Sequence, residues 1–162
     1  MTCTLSVLVE NQAGVLSRVA SLFARRGFNI DSLAVGETED KTLSRITIVV
    51  SGDVRTVEQI EKQLNKLVHI VKIKNLDKSE YFSRQVTLFK VMGGSDKRAE
   101  IIKLAEITGA KILDITDTTV TLELCDTLEK CNDLQNLLEP YGIKEIAKTG
   151  CVAIEKGSSV LK

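Results

Sequence analysis

The sequence predicts an α+β fold made of two successive βαββαβ units, and three observations carry that reading. Apolar residues alternate in strand fashion at the start of each half. Between the strands they recur at helical spacing. Turn residues then punctuate both halves in the same order. In the first half, Leu5, Val7 and Val9 fall on one face of an opening strand, which Asn11-Gln12-Ala13-Gly14 breaks. Leu16, Val19, Ala20 and Phe23 then follow at i, i+3, i+4 and i+7, with Arg18, Ser21 and Arg25 opposite and Gly27 at the stop. Strand-like runs at 29–37 and 43–51 flank a turn through Glu39-Asp40-Lys41. Asp53 opens a second helix with Val57, Ile60, Leu64 and Leu67 on its stripe, and residues 68–75 close the unit.

The second half repeats the plan. Residues 85–92 read as a strand and Gly93-Gly94-Ser95 as a break. Ile101, Ile102 and Ala105 mark a helix that ends near Gly109. Residues 112–117 and 120–125 form a hairpin pattern. Asp126-Thr127-Leu128-Glu129 has the form of a capping box with Asp126 at the cap. Leu128, Cys131, Leu134 and Leu138 make the helix stripe, Pro140 ends it, and a last strand spans 143–155. This is the split-βαβ, ferredoxin-like plan used twice. The expected division is 1–77, a polar linker 78–84, and 85–162. With both helices on one sheet face, each unit leaves an open face and free edges, which pairing with another copy would manage.

Composition narrows the function. Hydrophobic residues make up 43% of the 162, enough for a core, and 22 basic residues balance 22 acidic ones. A formal charge of 0 gives no electrostatic footprint for nucleic acid or an anionic membrane, and 4% aromatics are too few for a base-stacking platform. No apolar run reaches the length of a membrane span, and the amino terminus has no signal-peptide pattern. Cys3, Cys125, Cys131 and Cys151 have no metal-ligand spacing and read as reduced thiols, with Cys131 in the core and the others packing in strands. The one histidine, His69, reads as structural or surface. No nucleophile, acid-base pair or metal set is expected. Arg25-Arg26 fits a solvated helix end, and Gly93-Gly94-Ser95 a simple loop without the lysine of a phosphate loop. Arg45, inside an otherwise apolar strand, suits either a protein contact or a surface strand.

One segment carries chemistry. At the end of the first strand Asn11 turns the chain, Gly14 lets backbone approach a ligand, and the helix starts with amides at Gly14, Val15 and Leu16 that have no partner within it. Such amides at the positive helix end suit a carboxylate. Asn11 and Asn29 offer neutral acceptors for an ammonium group, and Val15, Leu16 and Ile30 are apolar lining for a short aliphatic side chain. A turn of this kind alone is more often plain punctuation.

The segment from Leu5 to Val19 resembles the ACT domain, an amino-acid-sensing module. Residues 22–33 (Leu22-Phe23-Ala24-Arg25-Arg26-Gly27-Phe28-Asn29-Ile30-Asp31-Ser32-Leu33), Ser44-Arg45-Ile46-Thr47-Ile48 and the helix 58–67 resemble the acetolactate synthase small-subunit family. The likeness is dense from Leu5 to Lys74 and looser over 85–157, where Thr149-Gly150-Cys151-Val152 carries it.

The resemblance implies a non-catalytic regulatory subunit in branched-chain amino-acid biosynthesis. It would activate a separate catalytic subunit holding thiamine diphosphate, magnesium and FAD, and confer valine inhibition, with no cofactor of its own. It further implies a homodimer of ACT domains binding valine or another branched-chain amino acid at the interface. Asn11, Gly14, Val15 and Leu16 would come from one protomer, and Asn29 and Ile30 from the other. The alternative is an ACT-domain regulator of a different biosynthetic enzyme. The expected location is a bacterial cytoplasm. A plastid stroma is the alternative, since lysine outnumbers arginine 15 to 7 and no transit extension is present.

Overall fold

Alternating apolar residues over Thr2–Glu10 form β1, the second strand in from one edge of a four-stranded antiparallel sheet in a computed structural model that describes residues 2–162. The sheet order is β2 (Ser32–Glu37), β3 (Leu43–Ser51), β1, β4 (Ile70–Asn75). Register pairs Val7 with Ile46 and with Ile73, so their side chains share one face. On that face lie α1 (Val15–Arg26) and α2 (Val54–Leu64), whose Phe23, Ile60 and Leu64 close a core with Leu5, Val7 and Ile48. Burying one such side chain stabilises the fold by about 1.5–3 kcal/mol, so this face dominates the unit's stability.

The buried stripe of α1 is Val15, Val19, Leu22 and Phe23, whereas the sequence pattern placed Leu16 and Ala20 there. Both sets satisfy helical periodicity; the structure buries Leu22 in place of the smaller Ala20, and Leu16 stays 42% exposed. Asp53 caps α2 as expected, its carboxylate accepting from the Thr56 amide at 2.7 Å.

The chain divides into two compact units, 1–82 with 150–162, and 83–149. The division expected from sequence, 1–77, a linker 78–84 and 85–162, differs chiefly in that residues 150–162 join the first unit. Residues 76–78 form a single 3-10 turn, and β5 (Tyr81–Met92) then runs without interruption through the expected linker. The strand expected over 143–155 is two: β8 (Ile143–Lys148) and β9 (Val152–Glu155), broken at 149–151.

In the second unit the sheet order is β6 (Lys111–Ile115), β7 (Thr119–Asp126), β5, β8. The helices α3 (Arg98–Thr108) and α4 (Leu128–Leu138) cover Phe89, Val91 and Leu122 with Ile101, Leu134 and Leu138. The cap of α4 is Thr127, which accepts from the Lys130 amide, and not Asp126, whose carboxylate accepts from the Thr127 amide. The Gly93-Gly94 loop uses its carbonyls as acceptors. The Arg98 guanidinium donates to the Gly93, Thr116 and Asp117 oxygens at 3.4, 2.8 and 3.3 Å.

The segment 150–162 belongs to the first unit and lies against the face of its sheet opposite the helices. The Cys151 amide donates to Ser32 Oγ at 2.8 Å, and Cys151, Ala153 and Leu161 are buried. Lys74 forms an ion pair with Glu155 and donates to Ser159 Oγ at 3.1 Å, while Lys72 Nζ donates to the Lys162 carbonyl at 2.6 Å. The strand β9 pairs with β5, and the Lys156 amide donates to Glu80 O at 2.9 Å. Buried Thr4, Ser6, Leu8, Thr47 and Val49 all lie on the non-helical side by strand alternation. This face is therefore covered, in part by the chain's own end.

Among the described residues Cys3, Cys125 and Cys131 are free thiols. Cys3, Cys131 and Cys151 are buried, but Cys125, expected to pack, is exposed, because it sits on the non-helical face of β7. Burial, with Asp77 nearby, pushes the Cys3 thiol up to about 12, so it is inert. No helix among the described residues is long and apolar enough to cross a membrane.

Two predictions follow from the covered face. A Cβ on Gly150 would sit 2.0 Å from the Leu33 carbonyl oxygen, a backbone atom that cannot swing away. Gly150→Ala should therefore lift the segment and lower stability by about 1–3 kcal/mol, read from the urea midpoint together with faster amide exchange over 150–162. The hydrogen bond from Lys74 holds the Glu155 carboxyl down from 4.5 to about 2. A depressed carboxyl stabilises fully above its unfolded value and loses that contribution as pH falls from about 4.5 toward 2. Amide protection over 150–162 should fade in that window, and Lys74→Met should weaken the dependence, with the Ser159 and Ser79 hydroxyls left to hold the carboxyl down.

Candidate functional site at the start of helix α1

The turn after β1 is built by a glycine in the left-handed region. Gly14 has φ 86° and ψ −7° as the residue before α1, with no side chain capping the helix. A β-carbon would cost energy there because it crowds the neighbouring carbonyl. The Val15 amide makes a long 3.4 Å bond to the Gln12 carbonyl, and the Gly14 carbonyl accepts from Arg18 at 3.0 Å. Among the described residues the Gly14 and Leu16 amides donate to no acceptor. They are donors at the positive end of a 12-residue helix.

Asn11 stands beside them, pinned by residues that the sequence reading did not pick out. Its Nδ2 donates to Glu37 Oε1 at 3.1 Å and to the Lys41 carbonyl at 2.9 Å, and its own amide donates to Thr42 O at 2.7 Å. With both Nδ2 protons engaged, Oδ1 remains as the acceptor. Glu37 and Lys41 are 26 and 30 residues away, and only the β2–β3 hairpin register brings them close, so no local signal marks them.

The remaining candidates lie elsewhere on the protomer. Asn29 is exposed beyond the end of α1, its Nδ2 donating to Asp31 Oδ1 at 2.7 Å, which again leaves Oδ1 as acceptor. Ile30 is half-buried and packs on the core. Val15 offers only its backbone, since its side chain is 5% exposed inside the core, while Leu16 presents its side chain outward. A helix of 12 residues is about 18 Å long, so the Asn11–Leu16 group and the Asn29–Ile30 group stand at opposite ends of α1. A single small ligand cannot touch both within one chain.

Other polar groups have plain structural roles. His69 Nδ1 lies 2.8 Å from Glu10 Oε2, and the Glu10 amide donates to the His69 carbonyl at 3.0 Å, which ties the end of β1 to the start of β4. Arg26 donates to Gln63 on α2 at 3.2 Å. Among the described residues no group of three or more His, Cys, Asp or Glu is arranged to hold a metal ion.

Two ferredoxin-like units, the first with a glycine turn and open amides after its opening strand, define a protein of the ACT-domain class. Comparison with known proteins narrows this. The profile described as an AHAS small subunit-like ACT domain matches residues 5–72, and that of the small subunit of acetolactate synthase matches 84–157. The acetolactate synthase small subunit of Mycolicibacterium smegmatis is 49% identical over 156 residues, spanning 96% of this chain and 92% of the relative. A probable acetolactate synthase small subunit of Archaeoglobus fulgidus is 46% identical, spanning 98% and 99%. The crystal structure of the acetolactate synthase small subunit from Thermotoga maritima superposes with a TM-score of 0.86 at 42% identity, covering 98% of this chain and 99% of that one. The chain belongs to the acetolactate synthase small-subunit family.

Space around Gly14 is open, with nothing within 4 Å of an added Cβ, so the methyl group of Gly14→Ala acts through backbone strain alone. Gly14→Ala should cost about 1–2 kcal/mol in the urea unfolding midpoint and leave the circular dichroism of the native state unchanged.

Proposed function

We propose that this chain is the regulatory subunit of an acetolactate synthase, raising the activity of a separate catalytic subunit and making it sensitive to a branched-chain amino acid, valine first among them. In this reading thiamine diphosphate, magnesium and FAD belong to the catalytic subunit. The observation that carries the sensing site is the separation of its two halves along α1. A homodimer resolves it: Asn11, Gly14, Val15 and Leu16 of one ACT unit meet Asn29 and Ile30 of the partner subunit.

Three features support that pairing. The strand β2 is an edge, hydrogen-bonded only to β3 within its sheet, and so offers free backbone groups to a second copy. Leu16, Ala20 and Ala24 form an exposed, mostly small ridge on α1 that lets another surface approach. The site is neutral at its polar contacts, which suits a zwitterion. Its carboxylate accepts from the Gly14 and Leu16 amides, and its ammonium donates to Asn11 and Asn29 Oδ1. Leu16 and Ile30 then flank the aliphatic side chain.

Coupling follows from linkage. If valine favours one arrangement of the ACT pair, the catalytic subunit should change valine affinity by the same factor by which valine changes subunit affinity, typically about 5- to 150-fold. Light scattering should give twice the 17.8 kDa chain mass with valine present, and a monomer under those conditions would exclude the shared site. Acetolactate formation by the reconstituted pair should lose valine inhibition in Gly14→Asp, whose carboxylate competes for the amides and repels the ligand. Asn29→Ala should weaken inhibition while activation persists. Joint loss of activation and inhibition in a folded Asn29→Ala variant would assign that residue to assembly instead.

A further inference from the structure

On the covered face of the first unit's sheet, Ser6 of β1, Arg45 of β3 and Lys74 of β4 line a cavity of about 390 Å³ closed by residues 153–162. Nearly every charged group around it has an ion-pair or hydrogen-bond partner. Lys74 is held by Glu155, Lys162 lies 3.4 Å from Glu39, and Glu37 accepts from Asn11. Arg45 is the exception: it is near enough to Glu39 to help lower that carboxyl, yet it has no close ion pair or hydrogen bond among the described residues, and its Nε is buried without an acceptor. Ser6 is 2% exposed, and its Oγ is likewise buried without a partner. Register places Ser6 opposite Thr47 and Arg45 two residues before it on β3, a diagonal pair on one face within reach of a long side chain.

A half-buried guanidinium and a buried hydroxyl without partners at one cavity are costly unless something accepts from them. The planar fork of an arginine matches a carboxylate, which takes two parallel N–H bonds and leaves a lone pair for a hydroxyl. Leu76, Ala153, Val160 and Leu161 make up an apolar part of the wall, beside a polar stretch that includes Glu37, Thr38, Glu39 and Ser159. The volume lies within the range of small-molecule sites and is too small for a polymer. We infer that this cavity is a binding site for a small monocarboxylate with a short aliphatic group, held by Arg45 and Ser6 and covered by the chain's end. It is distinct from the turn at Gly14 and rests on neither the effector nor the dimer described above. Because the ligand would touch both the sheet and the segment 153–162, its binding would fasten that segment down.

Isobutyrate, isobutyramide and inorganic sulfate serve as probes, titrated by calorimetry into the full chain. Isobutyrate should bind and slow amide exchange over 150–162. Isobutyramide, equal in shape but neutral, should bind at least roughly tenfold more weakly, as should sulfate, which lacks the aliphatic group. Arg45→Gln should lose roughly tenfold or more in isobutyrate affinity, and Ser6→Ala, nearly isosteric, a smaller factor. Arg45→Lys keeps the charge without the fork and should fall between. Gly14→Asp should leave the isobutyrate titration unchanged, which separates this site from the valine reading. No heat from isobutyrate with the wild-type chain, equal binding of the amide, or unaltered affinity in a folded Arg45→Gln variant would each overturn the proposal.

Discussion

A sheet that carries both helices on one side must find cover for the other, and the first unit depends on how that is met. Antiparallel sheets tolerate one wet face when it is polar, yet here Leu8 and Val49 lie buried on the non-helical side beside Thr4, Ser6 and Thr47. The chain's own end supplies part of the cover. Gly150 passes so close to the β2 backbone that no side chain fits, Cys151 ties to Ser32, and Lys74 anchors Glu155. Sequence order therefore differs from spatial order. The last thirteen residues finish the unit that the first eighty-two begin.

The same sheet positions the candidate effector site. The β2–β3 hairpin brings Glu37 and Lys41 to Asn11 and so fixes which end of that amide faces outward. Gly14 in the left-handed region then starts α1 with two amides uncommitted. Burial of Val15, Val19, Leu22 and Phe23 rotates α1 so that Leu16 and Ala20 stay outside. A helix oriented to fill the core thus also leaves the surface that a second copy would meet.

Electrostatics is local here. With no net charge and few buried ions, the protein has no long-range field to steer a polyanion. Its ion pairs are short tethers, among them Lys74 with Glu155 and Lys130 with Asp126 on the next turn. Against that background an arginine without a hydrogen-bonded partner stands out. In sequence Arg45 fitted a protein contact and a surface strand equally well, and its half-burial beside a partly open cavity became visible only in the fold.

The tandem βαββαβ order was legible in the sequence because strand alternation, helical spacing and turn residues are local signals that short windows carry. So was the glycine turn at Gly14, since few residues end a strand and open a helix in that way. The family likeness at 22–33 and 44–48 was equally readable, and the comparisons agree with it. Long-range proximity was not. The apolar run through Leu16 and Ala20 satisfied helical periodicity as well as Val15 and Leu22 did, and only packing against β1 and β3 chose between them. Cys125 had the alternation of a core strand but fell on the outer face once β7 took its register. The break at 149–151 looked like strand continuation because its reason, the backbone of residues 33 and 34, lies more than a hundred positions away. Sequence determined the elements and their order. Tertiary structure decided which faces they share, since contact between distant strands is set by register and steric fit, and neither is written in a local window.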